Sequence, residues 1–191
     1  MTKETFISIA NQWIKRDGIQ ELLEWLESTD FYTAPASAKY HGASEGGLVD
    51  HSVEVYKWLR DLMDGIAITT GFDLQPYTHE SIAIVALFHD LCKIAVYQTD
   101  YRNIKNDNTG EWERVSCYRY SPDSFGAHGA KSIFLINQFM KLTEEETVAI
   151  LHHMGAWDKS TYTNPGIAYE NYQLAWLLHV ADEAATYLSK K

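Results

Sequence analysis

The feature of this sequence that most constrains its fold is an apolar run followed directly by two ionisable residues. Every side chain from Ile82 to Phe88 is apolar, and His89 and Asp90 come next. A helix that is apolar on all sides has to lie inside a protein, so we predict a central buried helix over 81–92. Two polar groups beside such a run are costly unless they pair or coordinate a metal ion. The segment therefore predicts either a buried His-Asp pair or a metal site.

The rest of the chain has the pattern of further helices with one β interruption. Apolar residues at helical spacing predict helices over 2–16, 19–27 and 48–63, from about 128 to 140, from 143, and from about 169 to 188. Thr143 and Glu146 form a capping box at the start of one of them. Between 96 and 120, two β-prone runs flank an Asn/Asp/Gly turn, which predicts a β-hairpin.

These elements predict an all-α fold of about seven helices with an inserted β-hairpin near 96–120. Loops are expected over 30–47 and 71–78, where glycine and proline occur. We expect one domain over 1–191, with N-terminal helices in 1–30 and the core in 35–188.

Composition narrows the classes of protein that fit. Apolar residues make up 46% of the chain, which argues against disorder. The net charge of −10 argues against a general nucleic-acid-binding surface. A local basic or metal-rich pocket within the acidic surface would favour a small phosphorylated ligand or a strand end over a long duplex. The two cysteines give no disulfide framework, the start has no signal-peptide pattern, and the apolar run is too short to cross a bilayer. We expect a cytoplasmic protein without a membrane partner.

Further histidines and an aspartate share small or apolar neighbours with the His-Asp pair. They are His51, His128, the His152-His153 pair and Asp182. Taken singly, each has a structural explanation, such as an exposed helix histidine, a histidine at a helix end or a buried acceptor. Together, histidines on four helices and aspartates on two favour one shared site. Imidazole with carboxylate suits Mn, Fe, Co, Ni or Zn better than Mg alone.

In this order, these residues resemble the HD superfamily of metal-dependent phosphohydrolases. The nearest pattern is the HD domain of bacterial 3′–5′ exoribonuclease-like proteins. The matching motifs are Gly-Gly-Leu-x-x-His at 46–51 after His41-Gly42, His-Asp-x-x-Lys at 89–93, paired histidines at 152–153, and Leu-His-x-Ala-Asp at 178–182. A Gly-His element is matched less closely around His128. The resemblance covers about 35–185 and implies an HD-domain helical bundle.

Three departures from the family pattern limit what the resemblance implies. Two short helices occupy the first thirty residues where a nucleic-acid-binding barrel would precede the HD region, so exoribonuclease activity does not follow. The Gly-Tyr-Pro signature of cyclic-di-GMP-degrading relatives is missing after His153. The hairpin is longer than the usual connection and falls where a lid or specificity loop would lie.

The resemblance implies two metal ions. The first would be held by His51, His89, Asp90 and Asp182. Asp90 would bridge to the second ion, held by His128 and His152, with His153 as co-ligand or proton donor. Which member of the pair is the ligand stays open. Two carboxylates against two divalent ions leave about two positive charges, which suits a phosphate.

Substrate contacts are expected from Lys93, Lys131 and His41. Lys93 follows the dyad by three residues and is expected to contact a non-bridging oxygen or the leaving phosphate, although a solvated lysine fits equally well. Lys131 follows His128 by the same spacing. His41 and the hairpin aromatics are candidates for stacking a base, although packing fits most of them better. His179 is either a support for Asp182 or a structural histidine.

The predicted function is hydrolysis of a phosphoester or phosphodiester bond of a nucleotide or short oligonucleotide through a metal-activated water. Two alternatives remain open. One is an HD enzyme with a single metal that removes phosphate from a mononucleotide. The other is a catalytically silent HD module that binds a nucleotide as a sensor or scaffold, and the complete set of ligands weighs against it.

Overall fold

A computed structural model describes residues 2–71, 77–121, 128–158 and 164–189. Within these ranges the chain forms eight α-helices and one two-stranded sheet, which confirms a helical fold with an inserted hairpin. The helices are α1 Thr2–Trp13, α2 Ile19–Glu27, α3 Gly47–Thr70, α4 His79–Phe88, α5 His128–Ile136, α6 Glu144–His152, α7 Pro165–Asn171 and α8 Gln173–Tyr187. Most of the connection predicted at 71–78 and the small residues before His128 lie outside the described residues, as does part of the segment after the paired histidines.

The apolar run forms the centre of the protein, as predicted. Helix α4 begins after Thr78, whose side chain accepts a hydrogen bond from the Ser81 amide, and every residue from Ile82 to Phe88 is buried. The rings of Phe88 and Phe6 lie 5.7 Å apart, so α1 packs on this helix. Helices α3 and α6 also contact α4, and α8 packs across both of them.

The helix predicted over 81–92 ends earlier than expected. It stops at Phe88, and a 3-10 turn follows over Leu91–Lys93, so His89 and Asp90 lie beyond the helix and not on it. Hydrogen bonds from elsewhere in the fold explain the early end. The Cys92 amide donates to Ser132 Oγ at 3.0 Å, and the Ala95 amide donates to Asp30 Oδ1 at 2.9 Å. These partners replace the helical hydrogen bonds and turn the chain.

Other helix bounds also differ from the pattern. Helix α3 runs to Thr70, seven residues past the predicted end at Met63. The last predicted helix is divided in two, because Tyr172 adopts φ −133° and ψ 89° between α7 and α8. The capping box of Thr143 and Glu146 is present at the start of α6. In the part of the chain that the structure describes, no helix is long and apolar enough to span a membrane.

The predicted hairpin is present, and its strands are β1 Tyr97–Lys105 and β2 Trp112–Tyr120. They pair antiparallel from Tyr97 opposite Tyr120 to Lys105 opposite Trp112. The Asn106 side chain closes the turn by accepting hydrogen bonds from the amides of residues 108 and 109. Most residues of both strands are exposed, so the hairpin stands apart from the helical core.

Candidate metal centre

Five elements bring their polar residues to the end of the central helix. His51 lies in the second turn of α3, and Asp182 lies on α8. His89 and Asp90 follow α4, His128 begins α5, and His153 follows α6. His89 and His153 have no exposed surface, and Asp90 is 2% exposed. Buried polar residues of this kind need partners or a metal ion.

A close approach of two helices places His128 at the centre. At Gly129, a Cβ would overlap the carbonyl oxygen of Ile150 and lie 2.8 Å from the Cα of Leu151, so only glycine lets α5 come this near to α6. The rings of His128 and His153 are consequently 5.4 Å apart. The hydrogen bond from the Cys92 amide to the Ser132 hydroxyl on α5 fixes the turn after Asp90 to the same helix.

The two carboxylate oxygens of Asp90 face different histidines. Oδ2 lies 3.3 Å from His89 Nε2 and 3.6 Å from His51 Nε2. Oδ1 lies 2.8 Å from His128 Nε2 and 3.7 Å from His153 Nε2. A carboxylate in this position can ligate an ion on either side.

Asp182 completes the side that contains His51. Its Oδ1 lies 2.9 Å from His51 Nε2 and 4.0 Å from His89 Nε2. Among the described residues, three overlapping groups place their potential ligand atoms within 4.8 Å of one another: His51-His89-Asp90, His89-His153-Asp182 and Asp90-His128-His153. The sequence-predicted ligands other than His152 therefore meet in one cluster.

The ring nitrogens of this cluster fit a metal ion. Within the described ranges, the Nε2 atoms of His51, His89 and His153 are buried and make no aligned hydrogen bond. The Nδ1 atoms of His89 and His153 lie 2.9 Å and 2.7 Å from the carbonyl oxygens of Ala86 and Ile150. Because a carbonyl only accepts, these Nδ1 atoms carry the proton and leave a lone pair on Nε2. Buried lone pairs facing two carboxylates suit a divalent transition metal.

The electrostatics of the cluster keep its ligands in the form that binds metal. Burial would raise the pKa of Asp90, but the charge of Lys93 holds it well below its usual value. Burial likewise opposes ionisation of Asp182, but the contact with His51 keeps its pKa lowered. Burial lowers the pKa of His89. Ionised carboxylates and neutral imidazoles are the forms that ligate metals.

Lys93 lies inside the cluster. Its Nζ is 2.7 Å from Asp90 Oδ2, and its side chain is 13% exposed, which excludes the freely solvated lysine allowed by the sequence. Burial would lower its pKa, but the contact with Asp90 raises it. Lys93 is thus a charged group at the same oxygen that faces His51 and His89.

Cys92 is a neighbour of the cluster that the sequence reasoning missed. Its Sγ lies 3.3 Å from His128 Nε2 and 4.0 Å from Asp90 Oδ1. Burial, followed by the charge of Asp90, raises the pKa of the thiol to about 12, so it stays protonated at neutral pH. The signal in the sequence that could have indicated this position is that Cys92 lies inside the His-Asp-x-x-Lys motif at 89–93.

His152 and His179 lie beside the centre with different contacts. His152 belongs to none of the three ligand groups found in the described residues. Burial lowers its pKa, and the charge of Asp158 opposes that shift. His179 Nδ1 lies 2.7 Å from the carbonyl oxygen of His153. His179 therefore supports the turn that carries His153, which agrees with the structural histidine that the sequence allowed beside a support for Asp182.

His41 and Lys131 are the remaining predicted substrate contacts. The ring of His41 lies 4.9 Å from that of His51, and both line a cavity of about 400 Å³. Burial, then the charges of His51 and Lys93, lowers the pKa of His41 to about 4. Lys131 is half-buried on α5, where its charge acts on Cys92.

A comparison with protein families agrees with this geometry. The HD domain family model matches residues 48–186, and the chain therefore belongs to the HD domain family. Every predicted metal ligand lies within the matched range. Membership implies a metal-dependent phosphohydrolase. No curated protein and no solved structure matches the chain significantly.

Proposed function

We propose that this protein is a dinuclear metal phosphohydrolase acting on a phosphoester or phosphodiester bond of a nucleotide or short oligonucleotide. The observation that carries the proposal is the division of the Asp90 oxygens between two sets of histidines, at distances from 2.8 to 3.7 Å. A carboxylate that ligated a single ion would need partners on one side only.

The proposal gives each ion its own set of ligands. His51, His89, Asp90 and Asp182 would hold the first ion. His128, His153 and the second oxygen of Asp90 would hold the other. Of the paired histidines, His153 is the ligand in this proposal. Its Nε2 lies 3.7 Å from Asp90 Oδ1, whereas His152 belongs to no ligand group among the described residues.

When bound at such a site, divalent ions polarise phosphoryl oxygens and lower the pKa of water. The residues of the chain supply the remaining requirements. Lys93 uses one ammonium proton on Asp90 and has two more for a phosphate oxygen. Asp90 and Asp182 remain ionised ligands. The buried surroundings keep bulk water from the reacting groups and strengthen these charge interactions.

The test is hydrolysis by protein that has been stripped of metal and then supplied with Mn²⁺, Fe²⁺, Co²⁺, Ni²⁺ or Zn²⁺. The substrates are phosphomonoesters, bis(p-nitrophenyl) phosphate, mononucleotides, cyclic dinucleotides and short oligonucleotides. We expect metal-dependent turnover of at least one nucleotide substrate and its loss in His89→Gln. His79→Gln is the matched control, because His79 begins the same helix and its ring contacts Trp13, with the ring centroids 4.4 Å apart, and not the cluster.

Two results would contradict the proposal. A protein that binds metal and nucleotide without turning over any substrate would be a silent binding module. Full activity in His89→Gln would show that the reaction takes place elsewhere.

A further inference from the structure

The two faces of the β-hairpin differ in composition. Side chains alternate between faces along a strand, and cross-strand partners share a face. The register therefore puts five aromatic residues on one face, which we call the aromatic face: Tyr97, Tyr101, Trp112, Tyr118 and Tyr120. The opposite face contains no aromatic residue.

Charge separates the faces as well. The ionisable groups of the aromatic face besides its tyrosines are Lys105 and Arg114, so its charges at neutral pH are all positive. The opposite face carries both signs of charge, with two acidic residues, Asp100 and Glu113, and two arginines, Arg102 and Arg119. The aromatic face therefore carries two positive charges in a chain whose net charge is −10.

Three of the five aromatic side chains are open to solvent, and Tyr118 is half-buried. Trp112 is 70% exposed, Tyr101 is 55% exposed and Tyr120 is 52% exposed. Packing, which the sequence favoured for most of these residues, does not account for them. The Arg114 guanidinium lies 4.3 Å from the centroid of the Tyr101 ring, so a cation is already held along the aromatic surface.

The aromatic face begins next to the metal centre. Tyr97, at its base, follows Lys93 by four residues and donates a hydrogen bond to the carbonyl oxygen of Ala36 at 3.4 Å. Burial raises the pKa of Tyr97, and the charge of Lys93 opposes that shift. From Tyr97 the face runs eight residues outward to Lys105, or about 26 Å at the rise of a β-strand. A ligand bound along it reaches the centre with one end.

We propose that the aromatic face binds single-stranded nucleic acid. Bases would stack on Tyr101 and Trp112, and Lys105 and Arg114 would contact the phosphates. Exposed aromatic rings with interspersed cations are the chemistry by which proteins hold unpaired strands without sequence preference. A duplex does not fit, since its base faces are covered by neighbouring pairs. The substrate of the proposed hydrolase is then a single-stranded oligonucleotide with one end at the metal centre, and this last step rests on the proposed function.

The experiment measures fluorescence anisotropy of labelled dT12, U12 and a 12-base-pair duplex in low salt with EDTA. The test variant is Lys105→Ser/Arg114→Ser. The matched control is Arg102→Ser/Arg119→Ser, which removes the same charge from the other face. We expect the test pair to weaken binding of dT12 or U12 at least 10-fold and to lower the salt slope by about 1.4, and the control to change affinity less than 2-fold. Trp112→Ala should cost at least 5-fold and Ile104→Ala little.

Several results would overturn the inference: no binding of either single strand, equal loss in both double variants, or a duplex bound as tightly as dT12. Circular dichroism and melting temperature establish that each variant is folded. Because EDTA separates binding from turnover, the two proposals fail differently. Strand binding without hydrolysis contradicts only the proposed function, whereas metal-dependent hydrolysis of mononucleotides without strand binding contradicts only this inference.

Discussion

Lys93 Nζ lies 2.7 Å from Asp90 Oδ2, the carboxylate oxygen that also faces His51 and His89. A buried ammonium therefore shares the central ligand of the candidate metal centre. A metal ion at that oxygen and the lysine are like charges in a medium of low dielectric, so each disfavours the other. The lysine that the sequence suggested as a substrate contact is also a neighbour of the metal.

Replacing Lys93 with methionine separates these two effects. We expect Lys93→Met to bind Mn²⁺ at least as tightly as the wild type, because a competing charge is gone, and to lose about 10²-fold in kcat, because a donor to the phosphate is missing. Titration calorimetry and steady-state kinetics measure the two quantities. Lys57→Met, an exposed lysine on α3 that contacts Glu54, serves as the control. A variant that loses its metal would show that Lys93 holds the ligand geometry.

The paired histidines provide a second test. His153→Gln should lose one bound metal ion per chain and most of the activity, because His153 Nε2 lies 3.7 Å from Asp90 Oδ1. His152→Gln should keep both ions, since its side chain is outside the ligand groups found among the described residues. Elemental analysis of both purified variants makes the comparison. The reverse pattern would assign the ligand to His152.

The close approach of α5 and α6 predicts a large effect for a small substitution. Gly129→Ala should lower the free energy of unfolding by about 1–3 kcal/mol, because the added Cβ meets backbone atoms of Ile150 and Leu151 that cannot move aside. Gly65→Ala in α3 is the matched control, with no atom within 4 Å of its Cβ. That change should stabilise the protein by about 0.5–1 kcal/mol. Urea denaturation measures both, and equal effects would contradict the packing described.

A buried ion pair away from the centre predicts how stability depends on pH. The Glu146 carboxylate accepts hydrogen bonds from Arg16 at 2.6 and 2.9 Å and from the Thr143 amide at 2.8 Å. Burial raises its pKa, but these partners bring it below the model-peptide value of 4.5. The unfolded chain therefore takes up a proton first as the pH falls. The stabilisation is complete above pH 4.5 and is lost as the pH drops through the lower pKa of the folded state.

Glu146→Gln should accordingly destabilise the protein by about 2 kcal/mol at pH 7 and flatten the loss of stability below pH 4.5. Urea denaturation from pH 3 to pH 7 in EDTA measures this. Glu21→Gln, an exposed change on α2, is the control. If Glu146→Gln showed the same dependence of stability on pH as the wild type, the pair of Arg16 and Glu146 would not be the source of that dependence.

Local signals in the sequence were enough to predict much of the fold. The apolar run gave the buried helix α4, the Thr143 capping box gave the start of α6, and the Asn/Asp/Gly turn gave the hairpin. Each of these depends on residues that are close together in the chain. The resemblance to the HD superfamily was confirmed by the family match over 48–186.

Contacts between distant segments could not be predicted in the same way. Helix α4 ends at Phe88 because Ser132 and Asp30 provide partners for the turn that follows. The contact between Lys93 and Asp90 depends on that turn as well. The sequence predicted one shared cluster, and the resemblance implied how its histidines divide around Asp90, but His152 lies outside the ligand groups of the described residues, and which of the paired histidines faces Asp90 depends on how α6 packs against α5.

The most direct test of two ions around Asp90 is the number of metal ions per chain in the wild type and in His128→Gln, measured by elemental mass spectrometry after reconstitution with Mn²⁺. His128 is a suitable probe because its Nε2 lies 2.8 Å from Asp90 Oδ1, on the side away from His51. We predict two ions in the wild type and one in the variant. One ion in both proteins would contradict a dinuclear centre.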